Sequence, residues 1–502
     1  MAMVNRLTIA MNPPARHCCP REPPAVTTPP ELDRHHARKE GFVMLYHKNW
    51  RLAGIAMTGI IALTACSSGR PDAGADPDAK VTIHVGNMPT KDNADNLALF
   101  NKQVAAFQKL HPNITVVGEE TKFDPQTFAA LVAGGSMPTT MQVPYTNIQQ
   151  LALNGQVRDI TDLVKGDAVL SKLNPAVAKQ TQNAQGRTFG VVSAAYTMAF
   201  IYNRALYEKA GLDPDAPPKT WDEVRANARA ISKSSDAAGF TIATTTNSGG
   251  WILTTMAYAN GSAIQQREGD TITSTIDAAG VKDALTLLHD VRWTDQAAGK
   301  NFLLSQDDMR NSIAAGRIGQ TVLGADLYRD LVGNRDMPGD DLGIAPLPQS
   351  ATGIGTLGGG DIAVVSPKAA PTEAAAALEW VKFRYLNRFL DQQAAVEWAE
   401  TSKAGGLPVG APEVPLFSPE IYDRYLTWVS DYVNVKRDNY RAYFDSLGKL
   451  PILGEPPVAA QETYALLDAV TQQVLTKQDA DIPAALTQAR TDAQALIDAA
   501  AQ

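Results

Sequence analysis

The stretch from Gly186 to Glu223 constrains the fold of this chain more than any other segment. Residues 197–202 form an apolar and aromatic run that is short enough to be one buried strand. Asn203 can cap a helix directly after that strand, and Gly211 can end the helix. Several prolines then forbid regular structure, until Thr220 and Glu223 supply a Thr-x-x-Glu capping box. The sequence therefore predicts a strand, a helix, a turn and a second helix.

The same stretch carries a long motif. Its parts are Ile-Tyr-Asn-Arg at 201–204, Tyr-Glu-Lys-Ala-Gly-Leu-Asp-Pro at 207–214 and Pro-Lys-Thr-Trp-Asp-Glu at 218–223. This order resembles the signature of the extracellular solute-binding proteins of ABC importers, and within them the sugar-binding branch that contains the maltose-binding proteins. The resemblance covers roughly residues 80–502. It implies an α/β, two-lobed periplasmic-binding-protein fold of type II, with a doubly wound sheet in each lobe and three hinge crossings.

The resemblance also implies an organisation into lobes. Lobe 1 would comprise residues 81–195 and 358–395, and lobe 2 would comprise residues 196–357 and 396–502. Residues 66–80 are a flexible linker rich in Ser, Gly, Pro, Asp and Ala.

Three further segments resemble landmarks of the family. Ser193–Thr197 and Gly358–Val364 would be the first two hinge strands, and residues 405–409 would follow the last crossing. Phe240–Thr244 is expected to begin the sheet of lobe 2.

Residues 1–65 are interpreted as a leader and signal peptide. Basic residues precede an apolar run at 52–65, which is too short for a transmembrane helix, and small residues lead into Cys66. This resembles a bacterial lipoprotein signal. It implies a lipid on the Cys66 thiol, loss of the preceding residues, and anchoring on the extracytoplasmic face of the cell membrane. The signal also indicates a start at Met44 or upstream, with residues 1–43 as a mis-assigned or extra leader.

Composition and charge limit the classes of partner. The chain of 502 residues has a formal net charge of −8, and loss of residues 1–65 would make it −12. This acidity argues against nucleic acid and against a basic membrane-binding patch. Cys66 would be the only cysteine left, so no disulfide is expected. Cys18 and Cys19 match no zinc spacing. We expect a monomer without cofactor or metal.

Candidate ligand residues of lobe 1 follow its predicted strands. Asn87 and Asp92 lie in the loop after the first strand, although an Asn-rich loop often only caps a helix. Tyr145 and Thr146 follow a later strand and would face the cleft, because ligands bind at the carboxyl ends of strands in such sheets. Tyr145 could equally be a surface aromatic residue.

Lobe 2 and the hinge strands supply the other candidates. Trp251 offers a flat apolar face for a sugar ring, and Asn247 opens the glycine-containing segment before it. Asp326 stands where many sugar binders have an aromatic ring; it could accept hydroxyl hydrogen bonds, pair with a cationic ligand, or cap the following helix. On the hinge strands, the expected ligand residues are Tyr196, Gly359 and Asp361.

The resemblance implies capture of a mono- or oligosaccharide and its delivery to the transmembrane subunits of an ABC permease. The same fold could instead bind a glycerophosphodiester, a polyol or a cationic amino sugar. A secreted carbohydrate-active enzyme is a rival, but neither carboxylate pair, Glu119 with Glu120 or Asp307 with Asp308, has a fixed catalytic separation. The sequence also lacks a Gly-x-Ser-x-Gly elbow and a His-Glu-x-x-His motif. A lipoprotein that binds only a protein partner is a third possibility.

Overall fold

The computed structural model describes residues 79–269 and 271–500. The predicted signal peptide, Cys66 and most of the predicted linker lie outside these residues. Among the described residues, no helix combines the length and apolarity that crossing a membrane requires. The same part of the chain contains no group of three or more His, Cys, Asp or Glu side chains arranged to hold a metal ion.

Strands and helices alternate along the first part of the chain, and helices dominate its end. The strands, numbered β1 to β10 in chain order, are Val81–Val85, Ile114–Gly118, Thr140–Pro144, Val191–Asn203, Gln265–Glu268, Thr271–Ser274, Gln320–Gly324, Leu342–Ala345, Thr356–Val365 and Ile452–Leu453. The helices, numbered α1 to α16, are Ala94–Leu110, Phe128–Ala133, Tyr145–Leu153, Thr161–Gly166, Pro175–Ala178, Arg204–Lys209, Trp221–Ser234, Ser248–Ala259, Ala279–His289, Gln306–Ala314, Pro371–Val381, Gln392–Ala404, Pro419–Trp428, Arg441–Ser446, Ala460–Thr476 and Ile482–Ala500.

One mixed sheet runs through the molecule. Its order is β2-β1-β3-β9-β4-β7, with β8 paired to β4 and β10 paired to β9. The first three strands are parallel, as expected for β-α-β units, whereas β9 is antiparallel to both β3 and β4. The structure therefore has the mixed α/β, two-lobed architecture that the sequence predicts.

Strand β4 belongs to both lobes. Its first half pairs with β9, with a shift of register between Val192 and Ala194, and its second half pairs with β7 and β8. From Thr197 to Asn203 every residue of β4 is buried, so an apolar and aromatic sequence is required there. At the end of the strand the Asn203 side chain accepts a hydrogen bond from Leu206 N and caps α6, as predicted.

Two large hydrophobic cores define the lobes. The first-lobe core includes Phe128, Val143, Val191, Ile362 and Phe417. The second-lobe core includes Phe200, Ile252, Leu285, Ile344 and Leu467.

The cores correct one part of the expected division into lobes. Ala399, Val409 and Phe417 pack in the first-lobe core, although the sequence analysis assigned residues 396–502 to lobe 2. The reason is an aromatic cluster, because the Phe389 ring packs against both Phe417 and Tyr425. Among the buried residues, Val429 is the last in the first-lobe core and Val435 is the next in the second-lobe core.

One further sequence prediction agrees with the structure and another does not. Thr220 and Glu223 form the predicted capping box at the start of α7. The expected strand at Phe240–Thr244 is wrong, because the segment is not assigned to a strand. Its buried backbone is satisfied by scattered partners, such as a bond from Thr244 N to Leu304 O of 2.8 Å, instead of one continuous neighbour.

Candidate functional site

A cavity of about 240 Å³ lies where β4 passes from one lobe to the other. Its wall combines aromatic rings, hydroxyl and amide groups, two carboxylates and one guanidinium. The lining residues are Thr146, Tyr196, Thr246, Asn247, Ser248, Trp251, Gln306, Arg310, Leu323, Gly324, Asp326, Leu327, Glu455, Gln461 and Tyr464.

Tyr196 forms the floor of the cavity. It is paired with Gly359 across β4 and β9, and its ring lies against the backbone of that glycine. A Cβ on Gly359 would come within 2.4 Å of the Tyr196 ring, and one on Gly324 would come within 3.2 Å. The absence of side chains at these glycines therefore lets the ring lie flat on the two strands.

Trp251 stands in the first turn of α8, where Asn247 and Ser248 also reach the cavity. Thr246 and Asn247 both have positive φ, 57° and 66°, which turns the chain sharply into the helix. The Asn247 side chain donates to Gln461 Oε1 at 3.0 Å. This contact ties the turn to α15 while the Trp251 ring remains partly exposed.

Glu455 joins groups from both lobes. Its carboxylate accepts hydrogen bonds from Thr146 Oγ1 at 2.7 Å and from Tyr464 OH at 2.6 Å. Desolvation raises the pKa of Glu455, and these hydrogen bonds oppose the rise. The Trp251 side chain lies near enough to this carboxyl to act on its pKa in the same direction as those bonds. Thr146 lies on the first lobe and Tyr464 lies in the core of the second lobe. The Glu455 carboxylate therefore connects the two walls of the cavity.

Asp326 is the second carboxylate of the cavity, directly after β7. Its side chain is exposed to the cavity, yet protein surrounds it closely enough for desolvation to raise its pKa. The positive charge of Arg310 acts in the opposite direction. Arg310 is itself shared, since its Nε lies 3.6 Å from Asp330 Oδ2 and its guanidinium donates to Gln306 Oε1 at 3.0 Å.

The ten predicted site residues divide into three sets. Five of them line the cavity, namely Thr146, Tyr196, Asn247, Trp251 and Asp326. Gly359 lies beneath the Tyr196 ring. The remaining four are not part of the lining and lie on the first lobe, namely Asn87, Asp92, Tyr145 and Asp361.

The first-lobe candidates have structural contacts of their own. The Asn87 side chain accepts a bond from Gln142 N at 2.8 Å and so fixes the loop, and Asp92 is exposed. Tyr145 is 7% exposed, and its hydroxyl finds no hydrogen-bond partner among the described residues. Desolvation raises its pKa, with Asp361 nearby as a further cause. Tyr145 is therefore not the surface aromatic that the sequence allowed.

Glu455, Gln461 and Tyr464 are among the lining residues that sequence reasoning missed. All three come from the C-terminal part of the chain, and Glu455 contacts a residue 309 positions earlier. A usable signal was present, because Glu455 stands between a glycine and two prolines in a segment that no regular element requires.

The arrangement suits a polyhydroxylated solute. Trp251 and Tyr196 provide aromatic surface, while carboxylate, amide and hydroxyl groups provide acceptors and donors around it. A pocket that is partly apolar, with a few convergent polar groups, is typical of small-molecule binding.

The chain is similar to a family of known proteins and to individual members of related transport systems. The model of the family described as bacterial extracellular solute-binding protein matches residues 90–384. A probable amino-acid ABC transporter periplasmic-binding protein of Sinorhizobium fredii is 29% identical over 174 residues, which are 34% of this chain and 38% of that protein.

Two solved structures share the fold at low sequence identity. The cyclic α-maltosyl-1,6-maltose binding protein from Arthrobacter globiformis has a TM-score of 0.64 and 19% identity, over 84% of this chain and 100% of that chain. UgpB from Mycobacterium tuberculosis, solved in complex with glycerophosphocholine, has a TM-score of 0.64 and 17% identity, over 84% of this chain and 99% of that chain.

Proposed function

Because this chain belongs to the family of bacterial extracellular solute-binding proteins, we propose that it captures a carbohydrate in the cavity between its lobes and delivers it to an ABC permease. No bond of the solute is made or broken. The observation that carries the proposal is the cavity wall itself, in which Trp251 and Tyr196 offer ring faces and Glu455 connects the two lobes.

Capture would work by closure of the lobes. A two-lobed molecule joined by a few crossing strands can hinge, and a solute that contacts both lobes stabilises the closed form by its differential affinity. Thr146 on one lobe and Tyr464 on the other already share the Glu455 carboxylate. A bound solute would add contacts of the same kind across the cavity. The permease would then recognise the closed shape.

A sugar ring fits this lining because its C–H face can stack on Trp251 while its hydroxyls reach the polar rim. One relative by fold, from Arthrobacter globiformis, binds a cyclic maltosyl-maltose. Micromolar affinity corresponds to about −8 kcal/mol, which ring stacking and several hydrogen bonds can supply.

A cationic amino sugar is the second candidate ligand. Asp326 and Glu455 place two carboxylates in the lining against the single guanidinium of Arg310. The ammonium group of an amino sugar would pair with Asp326 while its sugar ring stacks on Trp251. A neutral sugar and an amino sugar would therefore use the same cavity wall.

A thermal-shift screen of the purified chain tests the proposal. The panel contains neutral mono-, di- and oligosaccharides, amino sugars, polyols and glycerophosphodiesters, and each is repeated with Trp251→Ala and Asp326→Ala. We expect a saccharide or amino sugar to raise the Tm of the wild type, because a ligand of the native state alone stabilises it. Neither variant should respond as strongly. If only polyols, phosphorylated solutes or non-sugar cations raise the Tm, the carbohydrate assignment fails.

We propose that the protein is held outside the cell by a lipid on Cys66. The apolar run and the small residues before this cysteine support the assignment. The mass of the membrane-extracted protein tests it. A mature chain that starts at Cys66 with acyl groups is expected, and an unmodified N-terminus before residue 66 contradicts the proposal.

A further inference from the structure

The first turn of α8 is capped from outside its own segment. Asn247 occupies the N-cap position but makes no side-chain cap. The backbone N–H of Asn247 donates to Asp468 Oδ2 at 2.8 Å, and that of Gly250 donates to Asp468 Oδ1 at 2.8 Å. Asp468 lies on α15 and is 6% exposed. A buried carboxylate from another helix therefore satisfies donors that would otherwise face the cavity end of α8.

The two helices are in close contact at this point. A Cβ on Gly250 would come within 2.3 Å of the Tyr464 carbonyl oxygen, and one on Gly249 would come within 2.8 Å of Asp468 Oδ1. The glycines are therefore needed for α8 to reach Asp468. Trp251, the next residue, is fixed by the same contact.

Asp468 belongs to a row of polar residues on one face of α15. This row makes hydrogen bonds to the segment Thr244–Trp251 and to Glu455. Its members are spaced by three or four residues, so they share one face of the helix. These members are Gln461, Tyr464, Asp468 and Gln472. Gln461 accepts a hydrogen bond from Asn247 Nδ2, and Tyr464 donates one to Glu455. Gln472 donates to Thr244 O at 2.6 Å.

From this geometry we infer that Asp468 is a positioning residue for Trp251 and that it also makes the cavity repel anionic solutes. A free helix N-terminus carries about half a positive charge and is a ready site for phosphate or carboxylate. Here an internal carboxylate occupies that end of α8. An anion in the cavity would meet the negative charges of Asp326 and Glu455 in the lining, and the charge of Asp468, which is buried outside the lining at the end of α8, would add to them.

Arg310 does not offset this effect. It is the one cation among the lining residues, and it already lies between Asp326, Asp330 and the Gln306 amide. The inference rests on the proposed function and narrows it, since it selects neutral or cationic solutes over phosphorylated ones. Among the alternatives for this fold, it excludes a glycerophosphodiester as the ligand.

Charged fluorescence quenchers test the inference without any solute. Quenching of the full chain by iodide, caesium and acrylamide is measured at constant ionic strength and normalised to free N-acetyltryptophanamide. Subtraction of the Trp251→Phe variant isolates the emission of Trp251. We expect iodide to quench Trp251 less than caesium does. In Asp468→Asn the ratio of the iodide to the caesium quenching constant of Trp251 should rise roughly twofold to fivefold, which is the size of an ordinary charge–dipole interaction. The acrylamide quenching constant should also rise, because the turn loosens.

Asp391→Asn is the matched control. Asp391 caps α12 on the first lobe, so this variant loses one negative charge and one helix cap far from α8. It should leave the quenching of Trp251 unchanged. The inference is overturned if iodide quenches Trp251 as well as caesium does in the wild type, or if folded Asp468→Asn leaves the ratio unchanged. Should Asp468→Asn not fold, the wild-type ratio decides alone. None of these outcomes depends on whether a sugar binds, so failure of the proposed function remains distinguishable.

Discussion

Trp251 combines the two properties that a ligand-stacking residue needs at the residue scale. Its backbone is fixed at the start of α8, and its ring remains partly exposed to the cavity. Because the ring also packs against the second-lobe core, replacement by alanine should remove ring surface from the cavity together with part of that packing.

We predict that Trp251→Ala weakens solute binding by roughly tenfold to a hundredfold, since burying an aromatic face contributes about 1.5–3 kcal/mol. Titration calorimetry with the solute that stabilises the wild type measures the change. Trp428→Ala is the control, because Trp428 lies in α13 on the first lobe, under Arg424 and away from the cavity. Equal affinity of Trp251→Ala and wild type would contradict the role given to this ring.

Glu455 gives the stability of the protein a defined pH dependence. Desolvation raises its pKa in the folded state, so the folded protein holds this proton more tightly than the unfolded chain does. The stabilisation from that proton is complete below the ordinary glutamate pKa of about 4.3. It is lost as the pH rises through the higher folded-state value.

We therefore predict that the free energy of unfolding of the wild type falls relative to that of Glu455→Gln as the pH is raised from 4 to 8. The change should occur between the unfolded-state and the folded-state pKa of Glu455. Urea unfolding at several pH values measures it. Glu400→Gln, at an exposed position of α12, should run parallel to the wild type. Parallel curves for Glu455→Gln as well would show that the folded protein does not perturb this carboxyl group.

Residue-level prediction succeeded where chemistry and local pattern coincide. Trp251 and Asp326 were identifiable because an aromatic ring after glycines and an acid after a buried strand are unusual locally, and both line the cavity. Their role in binding stays a prediction. Glu455 was not identifiable, because its partner Thr146 is 309 positions away and only the folded structure brings them together.

At the scale of elements, β9 carries three consecutive glycines, Gly358 to Gly360, and the last two have different roles. Gly359 leaves room for the Tyr196 ring. Gly360 has a φ of 143°, and a Cβ there would come within 2.1 Å of the Ala194 carbonyl oxygen. Gly359 therefore shapes the cavity, and Gly360 allows the two crossing strands to pair.

We predict that Gly359→Ala abolishes the solute-induced rise in Tm with little change in the Tm of the free protein, because the Tyr196 ring can swing into the cavity. Gly360→Ala should instead lower the Tm of the free protein, since the strained φ alone costs roughly 1–3 kcal/mol and the clash is with backbone. Melting curves with and without solute measure both effects. A Gly359→Ala variant that binds normally would contradict the position assigned to Tyr196.

Elements were predictable where local signals and burial agree. The capping box of α7 and the strand and cap at 197–203 are specified by neighbouring residues, and the structure contains both. The segment Phe240–Thr244 has the composition of a strand but lacks a continuous partner, and a strand exists only through pairing. No single-segment pattern contains that information.

At the scale of the whole molecule, two cores share two long strands. Strand β4 contributes Val191 to one core and Phe200 to the other, so a rotation of the lobes bends a strand without breaking either core. The sequence predicted this architecture through its resemblance to a family. It misplaced residues 396–429, because membership of a core depends on aromatic contacts such as Phe389 with Tyr425 that periodicity does not reveal.

The most direct test of closure on a solute is a distance between the lobes measured by pulsed electron resonance. Spin labels are placed at Lys109→Cys on α1 and Lys282→Cys on α9, both exposed, in a chain whose Cys18, Cys19 and Cys66 are replaced by serine. The solute that raises the Tm should shorten and narrow the distance distribution, and Trp251→Ala should not respond at the same concentration. A distribution that is identical with and without that solute would contradict the account.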